Sequence, residues 1–212
     1  MKIGFGDVQK ENLGLLQSTR SIYQVLGTLA KFPQLLLNPR MDMTEDDFIH
    51  PLHKVIFESI KALVCRDNSM KRLTHKDVDD FLAEFDELYV IWDQYNGMYY
   101  LEKAIEHSNT NTFKIHYQSI KKYTLMREFA AASIDVNKVY NYLEIDLMLL
   151  SKNKGQFETL SLKDLEGQLI NVGKGNTLLQ KQLLDKETEI DSQITLLIKR
   201  KQELNKLREK LA

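Results

Sequence analysis

The last proline in the chain is Pro51, and the other two, Pro33 and Pro39, also lie in the first quarter. Because proline interrupts helices, nothing in the remaining three quarters forbids long ones. Apolar residues there recur at helical spacing, and strand signals are nearly absent. The sequence therefore predicts an all-α fold: a small globular helical domain, a long αα-hairpin, a linker helix and a C-terminal coiled-coil-like helix.

Polar breaks divide this helical chain into four predicted segments. Residues 1–107 form a globular helical subdomain, which ends before the polar stretch SNTNT at residues 108–112. Residues 108–150 form the helical hairpin. Residues 151–176 form a linker and a linker helix, since the stretch SKNKGQ at 151–156 is polar and a helix start follows at Ser161. Residues 177–212 form one long coiled-coil-like helix.

Short polar residues predict where helices begin in the globular segment. Ser18, Thr44 and Thr74 can each accept a hydrogen bond from free amide groups of a first turn. Asp47 and Asp77 stand three residues after the two threonines, which is the spacing of a capping box.

Three further residues carry packing predictions. Trp92, the only tryptophan, is expected to anchor the core with its apolar neighbours Tyr89, Val90, Ile91 and Tyr95. Gly27 lies inside a helical pattern and predicts the close approach of another helix. Cys65, the only cysteine, is expected to be a small buried hydrophobe.

The histidine, cysteine and carboxylate patterns do not match a metal centre. One cysteine excludes a disulfide within the chain and a zinc site built on cysteines. The five histidines include no i, i+4 pair. The carboxylates at residues 45–47, near His50 and His53, fit helix capping better than cation binding, because Pro51 starts a new helix between the histidines.

Catalytic and nucleotide-binding patterns are also missing. Around Lys174 the lysine precedes the second glycine, so the spacing of a Walker A loop is not met, and a helix-ending glycine turn is predicted instead. The acidic run from Asp77 to Asp93 falls mostly opposite the apolar residues and predicts a solvated face. We therefore predict no catalytic residue, no cofactor and no metal.

Charge and hydropathy limit the classes of partner. A formal net charge of -1 argues against a protein whose whole surface binds polyanions. No segment approaches ~18 uninterrupted apolar residues, and the N-terminus has no apolar signal core. We expect a soluble, cytoplasmic protein with no membrane partner.

The second hairpin helix, predicted over residues 136–150, carries more apolar residues than one packing partner needs. Val139 and Leu143 have the helical spacing expected of residues that face the first hairpin helix. Ile145, Met148 and Leu149 form an additional apolar stripe. Exposed apolar patches of this extent mark interfaces. We predict that the chain forms homo-oligomers, dimers or higher, through these five residues.

The C-terminal segment shows a heptad pattern. An apolar residue recurs at every seventh position, at Leu183, Ile190, Leu197, Leu204 and Leu211. The second apolar position of the heptad is occupied by both apolar and charged residues, so only one of the two positions that form a coiled-coil interface is consistently apolar. The end of this segment is basic, which fits either a solvated helix face or contact with DNA phosphates.

Two blocks between Ile22 and Arg127 resemble the N-terminal domain of DnaB-family replicative DNA helicases, bacterial or phage-encoded. The first block is QVLGTL at residues 24–29, then DDF at 46–48 and HPLHKVIF at 50–57. The second, from Gly97 to Phe129, has a glycine, aromatics, a leucine, the polar break and a Tyr-and-Ile helix that ends in arginine. The resemblance implies that the hairpin pairs with that of another subunit in a ring collar, and that the linker helix grips a neighbouring motor domain.

The resemblance implies a non-catalytic assembly and partner-docking module of DNA replication, with primase or a helicase loader as its partner. The alternative is a stand-alone adaptor or inhibitor that mimics a helicase collar and binds a host replication protein. The P-loop ATPase of the family is absent from these residues. The predicted docking surface comprises the hairpin tip, Ile134 and Asp135, and the outer face of the first hairpin helix, Lys121 and Lys122.

Overall fold

A computed structural model describes residues 12–175, and within this range every regular element is helical. The predicted all-α fold class is confirmed. The α-helices are α1 (Thr19–Lys31), α2 (Pro51–Arg66), α3 (His75–Leu82), α4 (Asp86–Gln94), α5 (Gly97–His107), α6 (Phe113–Ala131), α7 (Leu147–Thr159) and α8 (162–175). Short 3₁₀ turns lie at Leu13–Leu15, Pro33–Leu37, Glu45–Asp47, Thr110–Thr112 and Val136–Lys138.

The chain divides into two compact units, residues 1–169 and residues 170–212. The first unit contains α1 to α7 and the start of α8, and it is described from residue 12 onward. Of the second unit, residues 170–175 are described, and they are helical. The predicted coiled-coil residues Leu183, Ile190, Leu197, Leu204 and Leu211 lie outside the described residues.

Helix α1 is the central element of the first unit, with α5 and α6 packed against it. Gly27 permits this approach: a Cβ atom at that position would lie 2.0 Å from the carbonyl oxygen of Ala104 on α5. The predicted close packing at Gly27 is therefore confirmed. Gln24 joins α1 to the end of α5, because its Oε1 accepts the Asn109 N–H (2.8 Å) and its Nε2 donates to the His107 carbonyl (3.2 Å).

The larger core, here the first cluster, lies among α1 to α5 and one turn of α6. Its fully buried side chains are almost all aliphatic or phenylalanine, and they include Ile22, Leu26, Leu29, Phe48, Ile56, Phe57, Ile60 and Leu82. Trp92 is buried as predicted, and its indole N–H donates to Asp79 Oδ1 (2.7 Å). Asn96, in the left-handed region with φ of 52°, turns the chain so that Gly97 lies against the Trp92 ring.

A smaller core, here the second cluster, is built on aromatic rings from α6, α7 and the segment between them. Tyr140 and Phe157 stack with centroids 4.6 Å apart, and Tyr123 lies 5.1 Å from Phe157. Leu16, Met126, Ala130, Val136, Tyr142, Leu165 and Leu169 complete it. This cluster fixes the positions of α6 and α7.

The predicted hairpin differs from the observed one in its second arm. Residues 139–146 are not helical, and the second helix is α7, which begins at Leu147 and includes the predicted polar linker 151–156. Asp146 caps α7 and accepts hydrogen bonds from the amides of Met148 (2.8 Å) and Leu149 (3.2 Å). The rings of Tyr140 and Tyr142 are buried against the second cluster, and this packing prevailed over the helical spacing of the sequence.

Most predicted helix starts are confirmed, and several predictions of burial are wrong. Ser18 caps α1, and capping boxes occur at Thr44 with Asp47 and at Thr74 with Asp77. Ser161 accepts the Asp164 amide at the start of α8 (3.1 Å). Cys65, however, is exposed in the last turn of α2, and Tyr89 and Val90 are exposed on α4.

The predicted glycine turn near Lys174 is not present in its described part, because residues 169–175 are helical.

Candidate functional site

The three most exposed large apolar residues of the described chain, Ile145, Leu147 and Met148, lie at or just before the start of α7, and the less exposed Leu149 follows them. The exposed fraction is 92% for Ile145, 79% for Leu147, 84% for Met148 and 47% for Leu149. We call these four residues the apolar turn. Isolated exposed apolar side chains are ordinary, but four within five positions form a patch that water solvates poorly.

Hydrogen bonds fix the backbone of the apolar turn. Asp146 caps α7, and Glu144 Oε1 accepts the amides of Ile145 (3.0 Å) and Asp146 (3.1 Å). Glu144 Oε2 in turn accepts the side-chain amide of Asn141 (3.2 Å). Two carboxylates thus order the backbone that carries the exposed apolar side chains.

The structure divides the five predicted self-association residues into two groups. Ile145, Met148 and Leu149 are on the surface, whereas Val139 and Leu143 are half-buried and pack against the second cluster. Leu147 belongs with the surface group and was missed, because helical spacing counted from residue 136 placed it on the buried side. The Asp146 cap is the signal that could have found it, since aspartate commonly precedes a first helical turn.

The predicted docking lysines do not form a free surface, and that prediction is wrong. Lys122 is 7% exposed, and its ammonium donates to the Glu158 carbonyl (2.7 Å). Lys121 pairs with the buried Asp47 at 3.2 Å. Ile134 and Asp135 lie at the turn after α6 and are half-buried. The sequence pattern of α6 predicts that both lysines face solvent, because it carries no information about contacts with residues distant in sequence.

A buried polar network surrounds Asp47, whose side chain is fully buried. Its Oδ1 accepts the Thr124 hydroxyl (2.7 Å), and its Oδ2 accepts the Thr44 amide (2.9 Å). Arg127 donates to the carbonyls of Leu16 (2.8 Å) and Asp46 (2.9 Å), so it joins the segments on either side of α1 to α6. Because the Asp47 carboxylate is paired with Lys121 and accepts hydrogen bonds at both of its oxygens, we interpret this network as structural.

A second apolar surface lies on α4 and beside it. Phe85, Leu88, Tyr89 and Val90 are all exposed. A cavity of about 240 Å³ opens next to them between α2, α3 and α4, and Phe81, Phe85 and Leu88 line it with Val55 and Ala62. The lining also includes two carboxylates, Glu45 and Glu58, and the ammonium group of Lys54. We call this surface the α4 face.

His53 is buried among rings in a different part of the first cluster. Its ring lies 5.3 Å from Tyr100 and 5.1 Å from His50, and its Nδ1 has no hydrogen-bond partner among the described residues. Burial, with a smaller effect from His50, lowers the pKa of His53 to about 4. The histidine is therefore neutral near pH 7.

Within residues 12–175, no three His, Cys, Asp or Glu side chains converge in a way that could hold a metal ion. The helices of the same part of the chain lack the length and apolar character that crossing a bilayer requires.

The chain is similar to a prophage protein. It is 29% identical over 152 residues to the SPbeta prophage-derived uncharacterized protein YorI of Bacillus subtilis (strain 168). The match covers 71% of this chain and 30% of YorI, so the chain spans less than a third of that relative. No protein-family model matches the chain, and no solved structure is significantly similar to it.

Proposed function

We propose that the chain is a non-catalytic assembly and partner-docking module of DNA replication, and that it self-associates through the apolar turn. The observation that carries the assembly role is the exposure of Ile145, Leu147 and Met148 on a hydrogen-bonded backbone. The replication role rests on the resemblance of residues 22–127 to the N-terminal domain of DnaB-family helicases. The similarity to a longer prophage protein is compatible with a module that works within a larger assembly.

The physical basis of association is the removal of apolar surface from water. Each large apolar side chain of the turn that becomes buried against another copy contributes about 1.5–3 kcal/mol before the cost of association is subtracted. Several such side chains on each copy suffice for association at micromolar concentration. Because the turn is ordered by Asp146 and Glu144, little backbone entropy is lost when it binds.

Sedimentation velocity of the 212-residue chain tests this proposal. The wild-type chain should sediment as a dimer or higher oligomer, and Met148→Asp should shift it toward monomer while its circular dichroism stays helical. Ile115→Asp is the matched control, since Ile115 is 65% exposed on α6, outside the apolar turn. A wild-type chain that is monomeric at the highest attainable concentration would refute the proposal. Oligomers unaffected by Met148→Asp would move the interface elsewhere, for example to the heptad residues.

We propose that the partner, a primase or a helicase loader, docks on the α4 face rather than on Lys121 and Lys122. Exposed apolar side chains beside a cavity whose lining has more carboxylate than ammonium groups favour a partner segment that is apolar and basic. Leu88→Asp should abolish capture of the cognate primase or loader, and Ile115→Asp should not. Equal capture by both variants would exclude this face as the docking surface.

A further inference from the structure

A polar cleft separate from both apolar surfaces lies where α1 begins and passes close to α6 and α7. Its volume is about 320 Å³. Three cationic side chains line it, one from each helix: Arg20, Lys122 and Lys154. Glu158 is the one carboxylate in the lining, so positive charge is in excess.

Lys122 is the most informative of these residues. It is 7% exposed, and it donates one hydrogen bond to a main-chain carbonyl, that of Glu158. An ammonium group has three donors, and a carbonyl does not neutralise its charge. Burial lowers the pKa of Lys122 although the Glu158 carboxylate acts in the opposite direction. A buried cation in this position is stabilised by an added anion.

The remaining lining suits an oxyanion. Ser18, Ser21 and Ser119 contribute hydroxyl groups, and Ser21 Oγ lies 3.2 Å from His116 Nδ1. Ser18 caps α1, so the positive end of the α1 dipole points at the same space. No phenylalanine, tyrosine or tryptophan lines the cleft, so it lacks the aromatic ring on which a nucleic-acid base usually stacks.

We propose that this cleft binds a phosphate group, either of a small phosphorylated ligand or of a nucleic-acid backbone. Arg20 and Lys154 contact the phosphate from the exposed side, and Lys122 supports it from the buried side. Such a site is separate from the self-association surface, since it uses none of the residues of the apolar turn. Loss of oligomers in Met148→Asp would leave it intact.

The test compares two lysines of α7 in the full chain. Both lysines are exposed, but Lys154 lines the cleft and Lys152 lies outside it. Binding of inorganic phosphate is followed by NMR shifts, and binding of a ten-residue oligo(dT) by titration calorimetry at low salt. Lys154→Ala should weaken binding about tenfold, the effect of losing one charge-assisted contact, and Lys152→Ala should change it less than about twofold.

A second variant examines the buried cation. Lys122→Met keeps the length of the side chain and its packing on Phe157 while removing the charge, so the protein should stay folded. Its phosphate binding should fall more than about tenfold. Response to inorganic phosphate would indicate a small ligand, and response to oligo(dT) alone would indicate a nucleic-acid backbone.

Three results would overturn the proposal. They are the absence of binding to both probes, equal binding by Lys154→Ala and Lys152→Ala, and equally tight binding of a glutamate-rich peptide of the same charge. The second result would assign any phosphate binding to other basic residues of the chain. The third would show a site for anions in general.

Discussion

The two core clusters of the first unit are built by different means. The first cluster joins the apolar faces of α1 to α5, and its buried side chains are mainly aliphatic. The second is centred on Tyr123, Tyr140 and Phe157, and part of it comes from non-helical backbone. Regular helices leave few backbone N–H and C=O groups without a hydrogen-bond partner. The non-helical segment 139–146 instead needs side chains such as Glu144 to accept its backbone hydrogen bonds. We therefore expect a change in the distance between helices to destabilise the first cluster most. A change in the shape of an aromatic side chain should destabilise the second cluster most.

The largest expected effect is in the first cluster, at Gly27. In Gly27→Val the new Cβ would lie 2.0 Å from the main-chain oxygen of Ala104, so α1 and α5 must separate. We expect the free energy of unfolding to fall by more than about 4 kcal/mol, measured by urea denaturation. Gly155→Ala is the control: its Cβ meets open space in α7, and it should stabilise by about 0.5–1 kcal/mol. Equal effects of the two substitutions would refute the close helix contact.

The next effect is in the second cluster, at Phe157. Phe157→Ala removes a ring that contacts both Tyr140 and Tyr123, and it should cost about 3–4 kcal/mol. Hydrogen exchange should accelerate in α7 and in residues 139–146 but not in α2, if the clusters are separable. Phe85→Ala, on the exposed α4 face, should cost less than about 1 kcal/mol. Equal acceleration in α2 would show that the two clusters unfold together.

The smallest expected effect is the pH dependence of the free energy of unfolding, and it arises at His53 in the first cluster. The pKa of His53 is lowered from 6.5 to about 4, so the unfolded chain binds the proton more tightly than the folded one. Stability is full above pH 6.5 and is lost as the pH falls toward 4, by about 2 kcal/mol between pH 7 and pH 5. His53→Phe should flatten thermal melts over this range, and the exposed variant His107→Gln should not. An unchanged pH dependence in His53→Phe would contradict this explanation.

In the first cluster the sequence predicted α1, α2 and α3 well, because the apolar residues of each follow one helical periodicity. In α4 the exposed Tyr89 and Val90 depart from the prediction. Ser18, Thr74 and Pro51 marked real helix starts, and Ile22, Val25, Leu26 and Leu29 are all buried on one face of α1. Local hydrogen bonds within a first turn and burial of one helix face are both properties of neighbouring residues, so a single sequence shows them.

The second cluster and the candidate sites were predicted less well, for reasons visible in particular residues. Tyr140 and Val136 have helical spacing, yet they are buried from a 3₁₀ turn and a loop. Lys122 resembles a surface lysine in sequence, but α7 covers it 36 residues further along the chain. The self-association, primase or loader, and replication assignments remain predictions, since they concern partners that lie outside this chain.

The position of α1 has a consequence for synthesis of the protein on the ribosome. Gln24 bonds to His107, 83 residues later, and Ser21 to His116, 95 residues later. At a translation rate of about 5–20 residues per second, roughly ten seconds pass between the synthesis of α1 and the synthesis of α5 and α6. During that interval the nascent helix presents Ile22, Leu26 and Leu29 without their final partners, as a chaperone substrate would. Translation speed over residues 32–131 therefore sets how long the chain is exposed to misassembly.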